Sequence, residues 1–412
     1  MPHRHHFLLA ATLLVFFTGC GKNEDATLST QLVGRAILPA HTIIPGPMVG
    51  RVLDPEINGV SLPFNGVPVQ GFSSIIPISN DQYFILQDNG FGTLANSPDV
   101  PLQWFHFSLD LNEDPEISSS VELENVTFIT DPRLHLMDTP PGGRLTGAHL
   151  DPESFVRLFD GTLWIGDEFG PALIHVDSLG HVMGPAVDIP VVPELQSYGR
   201  SSDILMTPDH PLLRHQAEAD HLANLPRSGG IEGLALTPDG KFIYASVEKA
   251  MVEDPSRTRR VILQFDPSTG SFTGQYKLYQ VDAPDVSIAS LEAVSNTVML
   301  VLERDSGEGK EAIIKRIYKI DLAEDIPTKV LVCDLMDICD DAGFTKVEDG
   351  AVGLGPNYSF PYVTPECLAV LDNQTLLVVN DNNYPMSSGR RPPHTPDDNE
   401  FIVLHLEHPL LP

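Results

Sequence analysis

Carboxylates recur in this sequence where a β-hairpin would bring them together. In PESFVRLFDGTLWIGDEFG, residues 152–170, Glu153 and the pair Asp167, Glu168 lie on either side of an Asp160-Gly161 turn signal. The layout returns in GFSSIIPISNDQYFILQDNG (71–90), GIEGLALTPDGKFIYASVEK (230–249), SLEAVSNTVMLVLERD (290–305) and PECLAVLDNQTLLVVNDNN (365–383). In an antiparallel hairpin, residues equidistant from the turn face each other. Reflection about each turn therefore pairs Glu153 with Glu168, Glu232 with Glu248, Glu292 with Glu303, Glu366 with Asp381, and Phe72 with Asp88. Acids gathered in a partly desolvated space repel one another, so such a set demands a counter-charge.

The elements that would position these acids are strands. Each segment is an apolar run, a turn rich in Asp, Asn, Gly or Ser, and a second apolar run. Repetition at intervals of 60 to 80 residues, without strong helical periodicity, predicts an all-β propeller. Further strand candidates between the hairpins (QWFHFSLD and VELENVTFIT, ALIHVDSLG and HVMGPAVDI, RVILQFDPSTG and SFTGQYKLY, AIIKRIYKIDL and KVLVCDLM) complete four-stranded blades. The last hairpin is followed by EFIVLHLE alone, and QLVGRAIL (31–38) supplies the missing strand, closing the ring by pairing the chain's two ends. Five blades are visible and five to seven are compatible with the length; the proline-rich 39–70 stretch has room for a degenerate sixth. Residues 131–150 read as a long ordered loop and residues 199–229 as a loop with a short helix in PLLRHQAEADHLANL. Both precede an inner strand, so both are expected on one face of the ring.

On this frame the paired acids occupy one rim of the central channel. Asp88, Glu153, Asp167, Glu232, Glu292, Glu303, Glu366 and Asp381 are then candidate metal ligands, and calcium is the expected ion. It accepts many oxygen ligands in flexible geometry, and the ring offers carboxylates, the Asn382 and Asn383 amides and carbonyls, without thiolate or imidazole. A single Glu at a strand start could instead bond a neighbouring blade's N–H groups; acids on both strands of the hairpins favour the functional ring. Arg304, at a strand end, is aimed at the channel, where a guanidinium suits phosphate or carboxylate. Arg200, Arg390 and Arg391 lie in loops expected on the same rim and are candidates for substrate binding, as well as for ordinary salt bridges like Arg227 and Lys249.

Composition sets the outer limits. Lys and Arg number 25 against 56 Asp and Glu among 412 residues, which excludes nucleic acid as a partner. Residues 7–17, FLLAATLLVFF, are too short to span a bilayer stably, and Thr18-Gly19-Cys20 places small residues before a cysteine. Residues 1–19 resemble a bacterial lipoprotein signal, with Cys20 lipidated and 20–30 a tether before a single domain at 31–412. Phe17 stands where Leu is usual, which leaves plain secretion open. The expected location is the outer membrane, facing the periplasm or cell surface, with membrane contact only through that lipid and a monomeric body. Cys333 and Cys339 are close enough for a loop disulfide, although spacing alone does not decide it. GxSxG, HExxH and GxxxxGK[ST] are absent, and His149, His175, His215 and His221 follow no ligand spacing.

The stretches GRLTGAHLDPESFVRLFDGTLWIGDEFGPALIHVDSLG, LPRSGGIEGLALTPDGKFIYASVE, LVLERD, KRIYKIDL and LLVVNDNNYP closely resemble the bacterial "esterase-like activity of phytase" family, also called phytase-like domain proteins. The resemblance runs in order over roughly residues 70 to 405. It implies an exported propeller acting on phosphoesters, with acidic motif positions at Glu153, Asp167, Glu168, Glu232, Glu248, Glu303, Asp305, Glu366 and Asp381. His149 departs from the Asp common at that place. Together these readings lead to an exported calcium-dependent phosphoester hydrolase that takes a small anionic substrate, with Glu168 or Glu248 as general base. A calcium-dependent lactonase or carboxylesterase, and a non-catalytic cell-surface binding module, are the alternatives.

Overall fold

A computed structural model describes residues 29–412; the signal and Cys20 lie outside the described residues. Five sheets surround one axis. Blade 1 runs Phe72–Pro77, Gln82–Gln87, Gln103–Asp110, Ser120–Phe128 from the inside out, and blade 2 runs Pro152–Arg157, Leu163–Asp167, Ala172–Val176, Val187–Asp188. Blade 3 comprises Ile231–Leu236, Ile243–Val247, Arg259–Asp266 and Ser271–Gln280, and blade 4 Ser287–Ala293, Val298–Arg304, Lys315–Asp321 and Val330–Asp334. Blade 5 starts with Thr364–Val370, Thr375–Asp381 and Asn399–His405. Its fourth strand is Gln31–Leu38, antiparallel to Asn399–His405, so the two ends of the chain close the ring. The inner strands touch in the cyclic order of blades 1 to 5 and back to 1. The 39–70 stretch forms no sixth blade: Ile43–Ile44 pairs with Val67–Pro68 and Glu56–Ile57 with Val60–Ser61, as two small ribbons. The helix expected in 211–225 is a single turn, Ala219–Leu222.

The apolar core is divided as the blades are. One cluster fills each blade-to-blade gap, for example Leu86 and Trp104 of blade 1 against Ile165 and Ile174 of blade 2. Between blades 5 and 1, Phe72 meets Phe105, Phe107 and Phe401 edge-on. Inner strands are therefore buried on both faces and read as unbroken apolar runs, whereas the exposed outer strand Gln31–Leu38 alternates. Cys333 is a free, fully buried thiol, so the loop disulfide with Cys339 is not formed.

Ring closure carries one buried ionic network. Glu400, with no exposed side chain, accepts from Arg35 Nε at 2.5 Å, Arg390 Nη2 at 2.9 Å, Tyr358 Oη at 2.7 Å and the Tyr362 hydroxyl. Burial alone would raise this carboxyl, but the two guanidinium groups hold it far below the usual range. Glu400→Ala leaves Arg390 buried without its partner. We expect a loss of about 3–5 kcal/mol, read as a lower urea midpoint at unchanged slope.

Candidate metal and catalytic site at the channel rim

Every inner strand contains the same irregularity. The pairing of inner and second strand skips one residue at Ser73, Glu153, Glu232, Ala289 and Glu366, the second or third position of its strand. Such a bulge leaves one residue unpaired and re-aims its side chain. The residue after each bulge is small: Ser74, Ser154, Gly233, Ser290, Cys367. Neighbouring inner strands press together there, since Leu234 N donates to Ser154 Oγ at 2.9 Å and a Cβ on Gly233 would stand 2.7 Å from Leu291 N.

The observed register departs from the mirror pairing expected from the turns. Pro152, not Glu153, faces Asp167; Phe72 faces Gln87; Glu292 faces Leu300; Thr364 faces Asp381. Two sets of equivalent positions result. The bulge set is Ser73, Glu153, Glu232, Ala289, Glu366. The set just past or at the end of the second strand is Asp88, Glu168, Glu248, Arg304, Asp381; the first three bond back through their N–H to the carbonyls of Gly71, Asp151 and Gly230. Blade 4 thus places Ala289 and Arg304 where blades 2, 3 and 5 place two acids.

The acids converge. Three groups, Asp151–Glu153–Glu168, Glu153–Glu232–Glu366 and Glu168–Glu232–Glu248, each offer ligand oxygens within 4.8 Å of one another, and all six residues are buried. Asp151 was not singled out by the sequence reading, although its place two residues before Glu153 was visible. Arg304 Nη2 sits among them, 3.1 Å from Glu366 Oε1 and 3.5 Å from Glu232 Oε1 and Glu248 Oε1. Lys249 Nζ lies 3.1 Å from Glu248 Oε2. Glu232 Oε1 and Arg304 Nε are buried without a hydrogen-bond partner.

At an effective dielectric of about 20, two ionised carboxylates separated by 4.8 Å repel by about 3 kcal/mol. Three such pairs sum to about 10 kcal/mol, comparable to the whole stability of a domain. The titration follows. Burial first, then neighbouring acids, push Glu153, Glu168 and Glu232 well above the carboxylate range. Burial lifts Glu366 to about 8 despite Arg304, and Asp151 and Asp381 to about 6. Glu248 is the exception: burial would raise it, but Lys249 and Arg304 outweigh burial and hold it below its usual value.

Several expected site residues lie elsewhere. Asp167 and Glu303 occupy the position before the second set, and alternation turns them away from the axis. Asp167 Oδ1 accepts from Asp151 N at 2.8 Å and Oδ2 from Gly170 N at 2.9 Å. Glu303 accepts from Tyr279 Oη and Lys329 Nζ, each at 2.5 Å, and from Asp282 N at 2.9 Å. Glu292 sits three residues beyond its bulge, lower in the strand, where burial lifts it to about 8. Asp88 stands in the second set, with Oδ1 accepting from Gly90 N, and burial next to Asp381 and Asp151 raises it strongly. Asp305 binds Lys315 and the N–H groups of Ile313 and Ile314. Arg200 clamps the carbonyls of Asp220, His221 and Ala223 and pairs with Glu253; Arg390 is consumed by Glu400; Arg391 forms an exposed pair with Glu348. None of these three arginines joins the acid groups, because each guanidinium is engaged by other carbonyls or acids. His149 lines a pocket behind Asp167 and belongs to none of the three acid groups.

Channel acids bind protons more tightly folded than unfolded, so their stabilising contribution is complete below the unfolded carboxylate range of about 4 and is lost as pH rises through their folded values. Chelator-treated protein is expected to melt at higher temperature at about pH 6 than at about pH 8.5, the reverse of ordinary acid lability. Calorimetry in chelator at both values checks this; a flat or opposite trend contradicts the crowding.

A family model described as "Phytase-like: Esterase-like activity of phytase" matches residues 67–384. An uncharacterized secreted protein of Arthroderma benhamiae is 27% identical over 194 residues, 42% of this chain and 37% of that protein, so the match spans little more than a third of the relative. Among solved structures, the PQQ-bound aldose sugar dehydrogenase of Streptomyces coelicolor superposes with a TM-score of 0.37 at 10% identity, covering 91% of this chain and 99% of the other. A GH43 β-1,3-galactosidase with galactodeoxynojirimycin gives 0.40 at 10% identity, covering 89% and 94%.

Proposed function

The chain belongs to the phytase-like family, and on that premise we propose that it is an exported, calcium-dependent hydrolase of small anionic phosphoesters, working at the acidic rim of the propeller channel. The observation that carries this reading is the ring itself: six buried acids in three overlapping groups of three, each group with oxygens close enough to share a cation, and with Glu232 Oε1 and Glu248 Oε2 buried without a hydrogen-bond partner. The donor set contains oxygen alone, which fits a hard divalent ion. When bound, such an ion supplies the positive charge that a phosphoester needs to enter an acidic channel and polarises its P–O bond.

Glu153, Glu168, Glu232, Glu366 and Asp151 would hold the ion, with Asp88 and Asp381 at the edge. Arg304, with Nε unused, orients a phosphate oxygen. Glu248 is the preferred base, because Lys249 and Arg304 keep it ionised. It takes the proton of a water whose oxygen bonds to phosphorus while the bond to the leaving oxygen breaks. Glu168 is the second candidate for this role. Export is supported by the apolar run 7–17 and the secreted relative; in this reading Cys20 carries the lipid that holds a monomer at the outer membrane.

Metal-stripped protein reloaded with calcium, tested on an aryl phosphate, a phosphodiester, a carboxylester and a lactone, decides the substrate class. Phosphoester turnover that chelator abolishes is expected, with Glu248→Gln lowering kcat about 100-fold or more. Turnover of carboxylester or lactone alone transfers the same acids to carbonyl chemistry. If Glu168→Gln and Glu248→Gln leave every hydrolytic rate intact, catalysis at this rim is wrong. Calcium is also expected to raise the melting temperature more at about pH 8.5 than at about pH 6, and Glu232→Gln to shrink that gain.

A further inference from the structure

Behind Asp167, on the side away from the axis, lies a cavity of about 230 Å³ between the 131–150 loop, strand Ala172–Val176 and the loop around His210. Its buried side is apolar, with Leu145, Leu150, Ala172 and Ile174, and its lip carries Met137 and Leu212, each about half exposed. Three imidazoles line it, His135 with its Nε2 buried and without a hydrogen-bond partner, and His149 and His210, whose tautomers are set by the backbone. Thr146 N–H is aimed at His149 Nδ1 at 3.0 Å, and Leu212 N–H at His210 Nδ1 at 3.1 Å. The Thr146 carbonyl lies 3.2 Å from the same His149 nitrogen, but two hydrogens cannot share that gap. Each of these two neutral rings therefore carries its proton on Nε2, as a donor. Asp188 Oδ1 lies 3.7 Å from His210 Nε2, beyond hydrogen-bond length. The acids on the wall, Asp167 and Asp188, disfavour an anion.

We propose that this cavity is a binding site for a small uncharged aromatic molecule bearing a hydrogen-bond-accepting oxygen, such as an aryl ketone or aryl ether. An apolar cavity of about 150 Å³ holds benzene, so the space here takes one ring and a short substituent. Apolar walls favour the ring and the Nε2–H donors the oxygen; an apolar ligand without the oxygen leaves those donors unpaired. The proposal does not depend on the hydrolytic reading, since it invokes no channel acid as ligand.

Saturation-transfer NMR and calorimetric titration of the whole chain with acetophenone, toluene and benzoate test it. Acetophenone is expected to bind saturably, toluene several-fold more weakly, and benzoate not at all. Ala186→Trp, at an exposed position on the lip, and Ala172→Leu, on the floor, should both abolish acetophenone binding, and His149→Ala should bring acetophenone and toluene closer together. The site is refuted if acetophenone fails to saturate, or if a folded Ala186→Trp protein binds it as tightly as the parent. Equal affinity for benzoate, or for toluene in the parent protein, refutes the assigned ligand class.

Discussion

Like charge crowded around one axis is the constraint on which this molecule turns. Five inner strands meet at the channel, and three of them deliver an acid from the bulge while four deliver one from the end of the second strand. Repulsion among so many buried carboxylates approaches the stability of a whole domain, so the channel exists only with relief. Arg304 provides part of it from within the chain. Blade 4 breaks the repeat twice, with Ala289 at the bulge and Arg304 at the end of the second strand, each standing where blades 2, 3 and 5 carry an acid. A repeated fold thereby acquires one distinct blade, and the ring becomes polar across its width, with Lys249 and Arg304 near Glu248, and Asp151 near Glu153 and Glu168.

The rest of the fold holds that crowding in place. Gly230 is an instance: a Cβ there would lie 2.2 Å from the Glu168 carbonyl oxygen, so only glycine lets blade 3 begin against the end of blade 2's second strand. Closure by Gln31–Leu38, locked by Glu400 between Arg35 and Arg390, keeps the blades from spreading under the charge they enclose. Two opposite uses of buried acid coexist. Glu400 is matched by guanidinium groups and stays ionised, whereas Glu153, Glu168 and Glu232 are matched mainly by each other and are driven toward protonation.

Membership of the phytase-like family and the five-blade ring were legible because both are written in linear pattern. Apolar runs, turn residues and their repeat length survive without knowledge of any contact, and the lone strand at each end of the body implied closure. Glu153, Glu232 and Glu366 were legible for the same reason, standing at the start of a repeated strand. Reflection about a turn assumes a known turn centre and an unbroken ladder, and here the true centre differs, as Glu292 facing Leu300 shows, while the bulge drops one inner-strand residue from the pairing. Asp167 and Glu303 turn outward because they alternate with the next position on the second strand. The small residues after each bulge were a signal for the bulge, since only a close approach of neighbouring strands requires Ser154, Gly233 and Cys367 at equivalent places.

Sequence alone therefore determined the architecture, the end-to-end closure and the gathering of acids at one rim, because local propensity and periodicity depend on neighbours along the chain. Sequence also aimed Arg304 at the channel, whereas tertiary structure decided which acids share a centre and that Arg200, Arg390 and Arg391 are engaged by other carbonyls and acids. Those outcomes depend on register between strands and on distances of a few ångströms between blades. No linear spacing encodes them, because each is set by how five separately folded sheets pack around a common axis.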